Sequence, residues 1–116
     1  MAYTDDERTQ IRHEFFEYTN MAPRELERWL DTPASRAVGA KHDGGESTGH
    51  ASGRRIIELK HKTKDELTDD DYRHMAKVVN YIKRHSAQRP SGDIEDTRWR
   101  YSLMNWGHDP LKEIKV

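Results

Sequence analysis

The sequence of 116 residues contains no cysteine. Disulfides, thiolate metal ligands, iron–sulfur clusters and cysteine nucleophiles are therefore excluded, and a reducing compartment is expected. Long apolar runs are also missing, since no stretch approaches the roughly 18 apolar residues that span a bilayer. The first residues lack the apolar core of a secretory signal. We therefore expect a cytoplasmic protein with no membrane partner.

Aliphatic side chains and phenylalanine are scarce. Leu, Ile, Val and Phe number 18 together, a proportion at which disorder has to be considered. Disorder also requires a high net charge, whereas 20 basic residues here offset 21 acidic ones, and three Trp and five Tyr supply large apolar surfaces. We therefore predict one folded domain over residues 1–116 with a thin core and a mobile tail over residues 111–116.

The spacing of apolar residues predicts an all-α fold, a compact bundle of four or five short helices. Residues 5–18 begin with acidic side chains and continue with apolar residues at helical spacing. Pro23 suits the first position of a second helix, and Thr32 can cap a helix of one or two turns. Residues 54–64 are short enough to form a strand, but their neighbours favour a helix.

Two further helices have clearer start and stop signals. Thr68 and Asp71 have the spacing of a capping box, so the longest helix is predicted to begin at Thr68 and to run to about Gln88. Thr97 can cap a last helix that stops at Gly107. The side chains expected on its buried face are Trp99, Leu103 and Trp106.

Residues 41–53 contain four glycines and almost no apolar side chain. This composition predicts a mobile glycine-rich loop. Glycine-rich loops also cradle phosphates, but neither the P-loop pattern nor the dinucleotide-binding pattern occurs, and no strand precedes the segment. The sequence therefore does not support a nucleotide site in this loop.

Four segments of the chain carry a recognisable pattern. They are NMAPRELERWL from Asn20, GHASGRRI from Gly49, LTDDDYRHM from Leu67 and SLMNWGHDP from Ser102. Together they resemble the domain of unknown function 3140 family of small microbial and fungal proteins. The resemblance implies no catalytic residue, and the DNA-binding label of some members implies a nucleic-acid partner. Ala22 stands where the family has Ser or Thr, which implies a cap weaker by about 1 kcal/mol.

Seven histidines and many carboxylates make catalytic and metal sites worth testing. No zinc-protease pattern, calcium-loop pattern or close histidine pair occurs. The three carboxylates of residues 69–71 point about 100° apart on a helix, so a helix cap is the better interpretation. No serine has the context of a nucleophile elbow. We therefore predict a protein that is not an enzyme, with no catalytic residue, metal or cofactor.

Three titratable side chains share one face of the long helix. His74, Tyr81 and His85 lie within about 40° of one another by helical spacing. A general acid or base could be placed there, but half-apolar side chains of this kind more often flank a core. We favour the structural interpretation.

Positive charge is concentrated in residues 51–89, which carry ten basic and six acidic residues. On the long helix, the basic residues lie opposite the apolar stripe of Met75, Val78, Val79 and Ile82. Basic residues of the preceding segment can extend this face if the two helices are neighbours. The predicted nucleic-acid-binding residues are Arg54, Arg55, Arg73, Lys77 and Arg84.

Two functions remain open from the sequence. A non-enzymatic nucleic-acid-binding module, with DNA as the possible partner, is favoured by the basic helix face. The isoelectric point near 6.7 opposes it, because nucleic-acid-binding domains commonly exceed 9. The alternative is a module for protein interaction or self-association, which a thin core and exposed aromatic side chains would favour.

Overall fold

The computed structural model describes residues 3–38 and 48–112. Within these ranges the chain forms six α-helices and no β-strand, which confirms the predicted all-α bundle. The helices are α1 Asp5–Tyr18, α2 Pro23–Leu30, α3 Pro33–Ala37, α4 Thr48–His61, α5 Asp69–Ser86 and α6 Arg98–Asn105. Two 3-10 turns, Lys64–Glu66 and Pro110–Lys112, complete the described elements. None of these helices is both long and apolar enough to cross a membrane.

Hydroxyl caps begin the helices largely where the sequence predicts. Thr68 accepts a hydrogen bond from the Asp71 backbone, and the Asp71 carboxylate accepts one from the Thr68 backbone, so the capping box is confirmed. Thr32 and Thr97 cap α3 and α6 through their side chains. Ala22 has no side chain that can cap α2, as the sequence implies.

Helix α5 lies at the centre of the bundle. It packs against α1, α4 and α6, and α2 packs against α4 and α6. The whole predicted apolar stripe of α5 is buried, and so are Leu103 and Trp106 of the last segment. Trp99 is partly buried and packs against the same core. The aliphatic residues are few, but the aromatic side chains complete the core.

Helix α4 begins earlier than the sequence predicts. The predicted loop over residues 41–53 is wrong for residues 48–53, which form the first turns of α4, and residues 41–47 lie outside the described residues. A Cβ atom on Gly53 would lie 2.5 Å from the Asn105 carbonyl oxygen, and one on Gly49 would lie 3.1 Å from Trp106 Nε1. The two glycines therefore allow α4 to pack closely against the end of α6, and this packing outweighs their low helix propensity.

The last described residues form an ordered junction with the end of α1. Gly107 adopts a φ of 80°, which ends α6 at the predicted stop. The Asn20 side chain accepts a hydrogen bond from Asp109 N at 2.7 Å and donates one to Asp109 O at 3.1 Å. Leu111 and Lys112, predicted as part of the tail, belong to the 3-10 turn, and residues 113–116 lie outside the described residues.

Candidate nucleic-acid interface

A cleft between α4, α5 and α6 is formed by two adjoining cavities of about 340 and 380 Å³. The residues common to both are Thr48, Lys77 and Trp106. The first cavity extends along α5 to Arg84, and the second extends to His74 and to Arg55 of α4. We call this pair of cavities the basic cleft.

The α5 residues of the cleft follow a helical repeat. They are His74, Lys77, Tyr81 and Arg84, spaced by three, four and three residues. Residues at this spacing form one stripe along a helix, so α5 provides a continuous strip of the lining. Residues of α4 and α6 line the same cavities, so α5 is flanked by another helix on each side.

Every charged residue in the lining of the basic cleft is a cation: Arg55, Lys77 or Arg84. Within residues 3–38 and 48–112, neither Lys77 nor Arg84 forms an ion pair with a carboxylate. Arg55 lies 3.4 Å from an Asp71 carboxylate oxygen and donates to the Asp70 carbonyl at 3.3 Å. The cleft therefore has an excess of positive charge and suits an anionic ligand.

His74 responds to this positive charge. Burial lowers the pKa of His74 most, and the nearby Arg55 and Lys77 lower it further against the opposing charge of Asp71, to about 4. The imidazole is consequently neutral at pH 7. Its Nε2 lies 3.1 Å from Ser52 Oγ on α4, so this contact joins the two helices across the cleft.

The contact between Ser52 and His74 is also the geometry of a serine nucleophile beside its base. A general base works best when its pKa lies near the working pH, and an imidazole with a pKa of about 4 is a weak base. Ser52 lies within α4 and is 3 % exposed. The low basicity of His74 and the burial of Ser52 do not favour nucleophilic catalysis by this pair.

Five rings form a ladder beneath the cleft. The ring of Tyr81 stacks on that of Trp106 at 4.2 Å and on that of His85 at 5.2 Å. Beyond these, His74 is nearly parallel to Trp106 at 6.5 Å, and His85 is nearly parallel to Trp99 at 6.3 Å. This arrangement agrees with the structural interpretation of the shared face of α5. The ring of Tyr81 is therefore already stacked within the protein.

The remaining predicted basic residues lie away from the cleft. Arg73 is exposed and its guanidinium binds the Asp70 carboxylate on the same helix. Arg54 lines a separate groove of about 520 Å³, whose lining also includes Glu27 and Asp31. The structure thus brings together Arg55, Lys77 and Arg84 of the five predicted residues.

Several neutral residues of the cleft were missed from the sequence. Thr48 and Ser52 lie within the segment predicted as a loop, so their place on a helix face was not apparent. A signal does exist, because Thr48 and Ser52, like Gly49 and Gly53, are spaced by four residues and fall on one helical face. Ser102 and Asn105 on α6 complete the polar lining and could be located only through helix packing.

No group of three or more His, Asp or Glu residues in the described part of the chain could hold a metal ion. The Asp69 carboxylate instead accepts a hydrogen bond from Arg8 of α1 at 2.5 Å. The Asp71 carboxylate forms an ion pair with the Lys62 ammonium group at 2.7 Å. Two carboxylates of the acidic run at residues 69–71 therefore anchor neighbouring segments, in addition to the cap that Asp71 provides.

Residues 14–104 match the family described as Protein of unknown function (DUF3140). None of the curated proteins and none of the solved structures matches the chain. The matched region covers more than half of the sequence and includes every residue of the described basic cleft except Asn105 and Trp106. The chain therefore belongs to the DUF3140 family.

Proposed function

We propose that the protein is a non-enzymatic nucleic-acid-binding module that holds phosphate groups in the basic cleft. The observation that carries this proposal is the exclusively cationic charged lining of two joined cavities. Arg55 and Arg84 offer planar guanidinium groups that can bind two phosphate oxygens at once, and Lys77 offers a point charge between them. Phosphate is the anion that this combination of donors suits best.

The overall charge of the chain does not oppose such a local site. Several basic side chains outside the cleft form ion pairs with carboxylates, as Arg8 does with Asp69 and Arg100 with Asp109. Paired charges largely cancel at a distance, whereas the charges of Lys77 and Arg84 in a concave surface concentrate the field there. The potential at the cleft therefore depends on these few groups rather than on the isoelectric point.

Neutral hydrogen-bond donors support the same proposal. Three residues with hydroxyl groups, Thr48, Ser52 and Ser102, line the cleft. Hydroxyl groups and cations together contact phosphate oxygens in nucleic-acid complexes without reading bases. The proposed binding is thus directed to the sugar–phosphate backbone and is independent of the base sequence.

The salt dependence of DNA binding tests this proposal. A fluorescently labelled 20-nucleotide DNA is titrated with the protein at 50 and 200 mM salt, and the anisotropy is measured. Each phosphate contact contributes about −0.7 to the log–log slope for a single strand and about −0.9 for a duplex. Three contacts give a slope of roughly −2 to −2.7.

The matched variants locate the contacts. The double variant Lys77→Gln with Arg84→Gln removes two cleft cations. We expect the log–log slope to become less steep by the contribution of about two phosphate contacts. Arg54→Gln with Arg73→Gln removes the same charge outside the cleft and should leave the slope nearly unchanged. Absence of salt-sensitive binding by the parent protein in 50 mM salt would refute the proposal.

A protein-interaction module is the second candidate. Phe16 and Leu111 are exposed by 47 % and 49 %, the large hydrophobic side chains most open to solvent in the described residues. An exposed patch around the tryptophans would favour this candidate, but the tryptophans are buried or partly buried. If this candidate is correct, Phe16→Ser abolishes partner binding or self-association and the double cleft variant leaves it intact.

A further inference from the structure

The position of α5 limits which form of nucleic acid can reach the basic cleft. Helices that read duplex DNA enter the major groove, which is about 12 Å wide and admits a helix. Helix α5 contacts α1, α4 and α6. The α5 strip with Lys77 and Arg84 opens into cavities that α4 and α6 also line. The strip of α5 that carries Lys77 and Arg84 therefore lies between two other helices, an arrangement that does not suit insertion into a groove.

The cleft is also recessed, which opposes a duplex for a second reason. Ser102 and Ser52 line cavities of about 340 and 380 Å³, and Ser52 is only 3 % exposed, so a phosphate must enter a cavity to contact them. Phosphates of a duplex lie on a stiff cylinder, and bending 20–30 base pairs by 40–90° costs about 1–6 kcal/mol. A single strand can turn a phosphate inward without bending a duplex.

The three cations lie along a track rather than around a point. Lys77 lines both cavities, Arg84 lines one and Arg55 lines the other. The seven residues from Lys77 to Arg84 correspond to about 10 Å along the helix. Such a track suits the successive phosphates of a nucleic-acid strand. A single isolated anion would be bound better by cations clustered around one position.

We propose that the basic cleft binds a single strand of nucleic acid, with successive phosphates against Arg84, Lys77 and Arg55, and discriminates against duplex. This inference rests on the proposed function and narrows it to one form of nucleic acid. The bases point away from the cleft, because the Tyr81 ring already stacks with Trp106 and His85 and because Trp106 is only 5 % exposed. Binding therefore differs from that of proteins that stack bases on open aromatic side chains.

The test compares a single strand with its own duplex. The full chain is titrated against a labelled 20-nucleotide DNA of mixed sequence, the same strand annealed to its complement, and oligo-dT of equal length, all in 50 mM salt. We expect the duplex to bind at least about fivefold more weakly than the single strand, which corresponds to the lower end of the bending cost. Oligo-dT should bind within about threefold of the mixed strand, because backbone contacts do not read bases.

Two independent readouts place the strand in the cleft. Lys77→Gln with Arg84→Gln should weaken binding of the single strand at least tenfold, whereas Arg54→Gln with Arg73→Gln should change it less than twofold. In the unmodified protein, the single strand should protect Lys77 from acetylation and leave the exposed Lys64, outside the cleft, reactive. The protection experiment needs no variant and does not depend on the folding of one.

Each outcome separates this inference from the proposed function. Equal or tighter binding of the duplex would overturn the single-strand inference and leave nucleic-acid binding standing. Binding of neither form would overturn both. Binding of the single strand without protection of Lys77, or with equal loss in both double variants, would place the strand outside the cleft and overturn the inference.

Discussion

Two regions of the molecule use basic side chains in opposite ways. At the C-terminal junction, formed by Asn20, Arg100 and Asp109, the Arg100 guanidinium donates two hydrogen bonds of 3.1 Å to the Asp109 carboxylate and one of 2.9 Å to the Glu95 carbonyl. In the basic cleft, Lys77 and Arg84 pair with no carboxylate of the described residues. The fold supplies a counter-charge to Arg100, whereas it supplies none to Lys77 and Arg84 among the described residues.

The pKa of Asp109 reflects its pairing with Arg100 at the junction. Burial alone would raise the pKa of this carboxyl, but the hydrogen bonds from Arg100 and from the Leu111 backbone lower it. The side chains of Arg100 and Asp109 are only 16 % and 8 % exposed. Removal of either charge would leave the other buried without a partner, which costs more than the loss of an exposed pair.

The largest expected effect is therefore at the junction. Asp109→Asn leaves the Arg100 charge buried and unpaired, and we expect the free energy of unfolding to fall by about 3–5 kcal/mol, measured by urea denaturation. The control is Asp31→Asn, which removes the exposed partner of Arg36 and should cost less than about 1 kcal/mol. Equal losses in the two variants would show that burial does not separate these pairs.

The next effect is expected from His74 in the cleft. Its pKa is lowered to about 4, so the unfolded chain binds a proton at higher pH than the folded chain does. Stability is then complete above about pH 6.5 and falls as the pH is lowered toward 4, by roughly 3 kcal/mol. His74→Gln should remove this part of the pH dependence. Parallel pH profiles for the variant and the parent would contradict the lowered pKa.

A smaller effect on stability is expected from Asp71, which forms ion pairs both with Lys62 and with Arg55 of the basic cleft. Burial would raise the pKa of Asp71, but Lys62 and the Thr68 cap outweigh it and lower the pKa to about 2. The stability that this carboxylate contributes is present above about pH 4 and is lost as the pH falls toward 2, by roughly 2 kcal/mol.

Asp71→Asn sharpens the comparison between the two regions. The substitution should flatten the acid limb of the stability profile, measured by urea denaturation from pH 2 to pH 5. It should also strengthen binding of single-stranded DNA severalfold, because Asp71 lies 3.4 Å from Arg55 and its charge offsets that of the cleft. Unchanged DNA binding would mean that Arg55 takes no part in the cleft.

The smallest effect on stability is expected from the cleft cations. Lys77→Gln with Arg84→Gln removes exposed charges that have no carboxylate partner among the described residues, so the free energy of unfolding should change by less than about 0.5 kcal/mol. Thermal unfolding followed by circular dichroism checks this value. A loss near that of Asp109→Asn would assign these cations to the fold and remove the contrast between cleft and junction.

Much of the helical organisation was predictable because it depends on short-range chemistry. The capping box at Thr68, the caps at Thr32 and Thr97 and the stop at Gly107 are confirmed, since each depends on residues within a few positions of one another. The start of α4 was not predictable in this way. Gly49 and Gly53 lower the local helix propensity, and only their contacts with Trp106 and Asn105 show why a helix forms there.

The candidate site was likewise predictable only in part from the sequence. Helical spacing in the sequence determined the basic stripe of α5 and the apolar stripe opposite it. It also indicated that the surrounding segments are helical. It did not separate Arg54 and Arg73 from Arg55, Lys77 and Arg84, because all five lie on or beside basic segments. Arg73 pairs with Asp70 three residues away on α5, a contact that helical spacing alone allows. Only the tertiary structure placed Arg54 in a groove with Glu27 and Asp31. It also placed Arg55, Lys77 and Arg84 in the lining of one cleft. The physical reason is that the meeting of side chains from α4, α5 and α6 depends on how the helices pack, which no local pattern encodes.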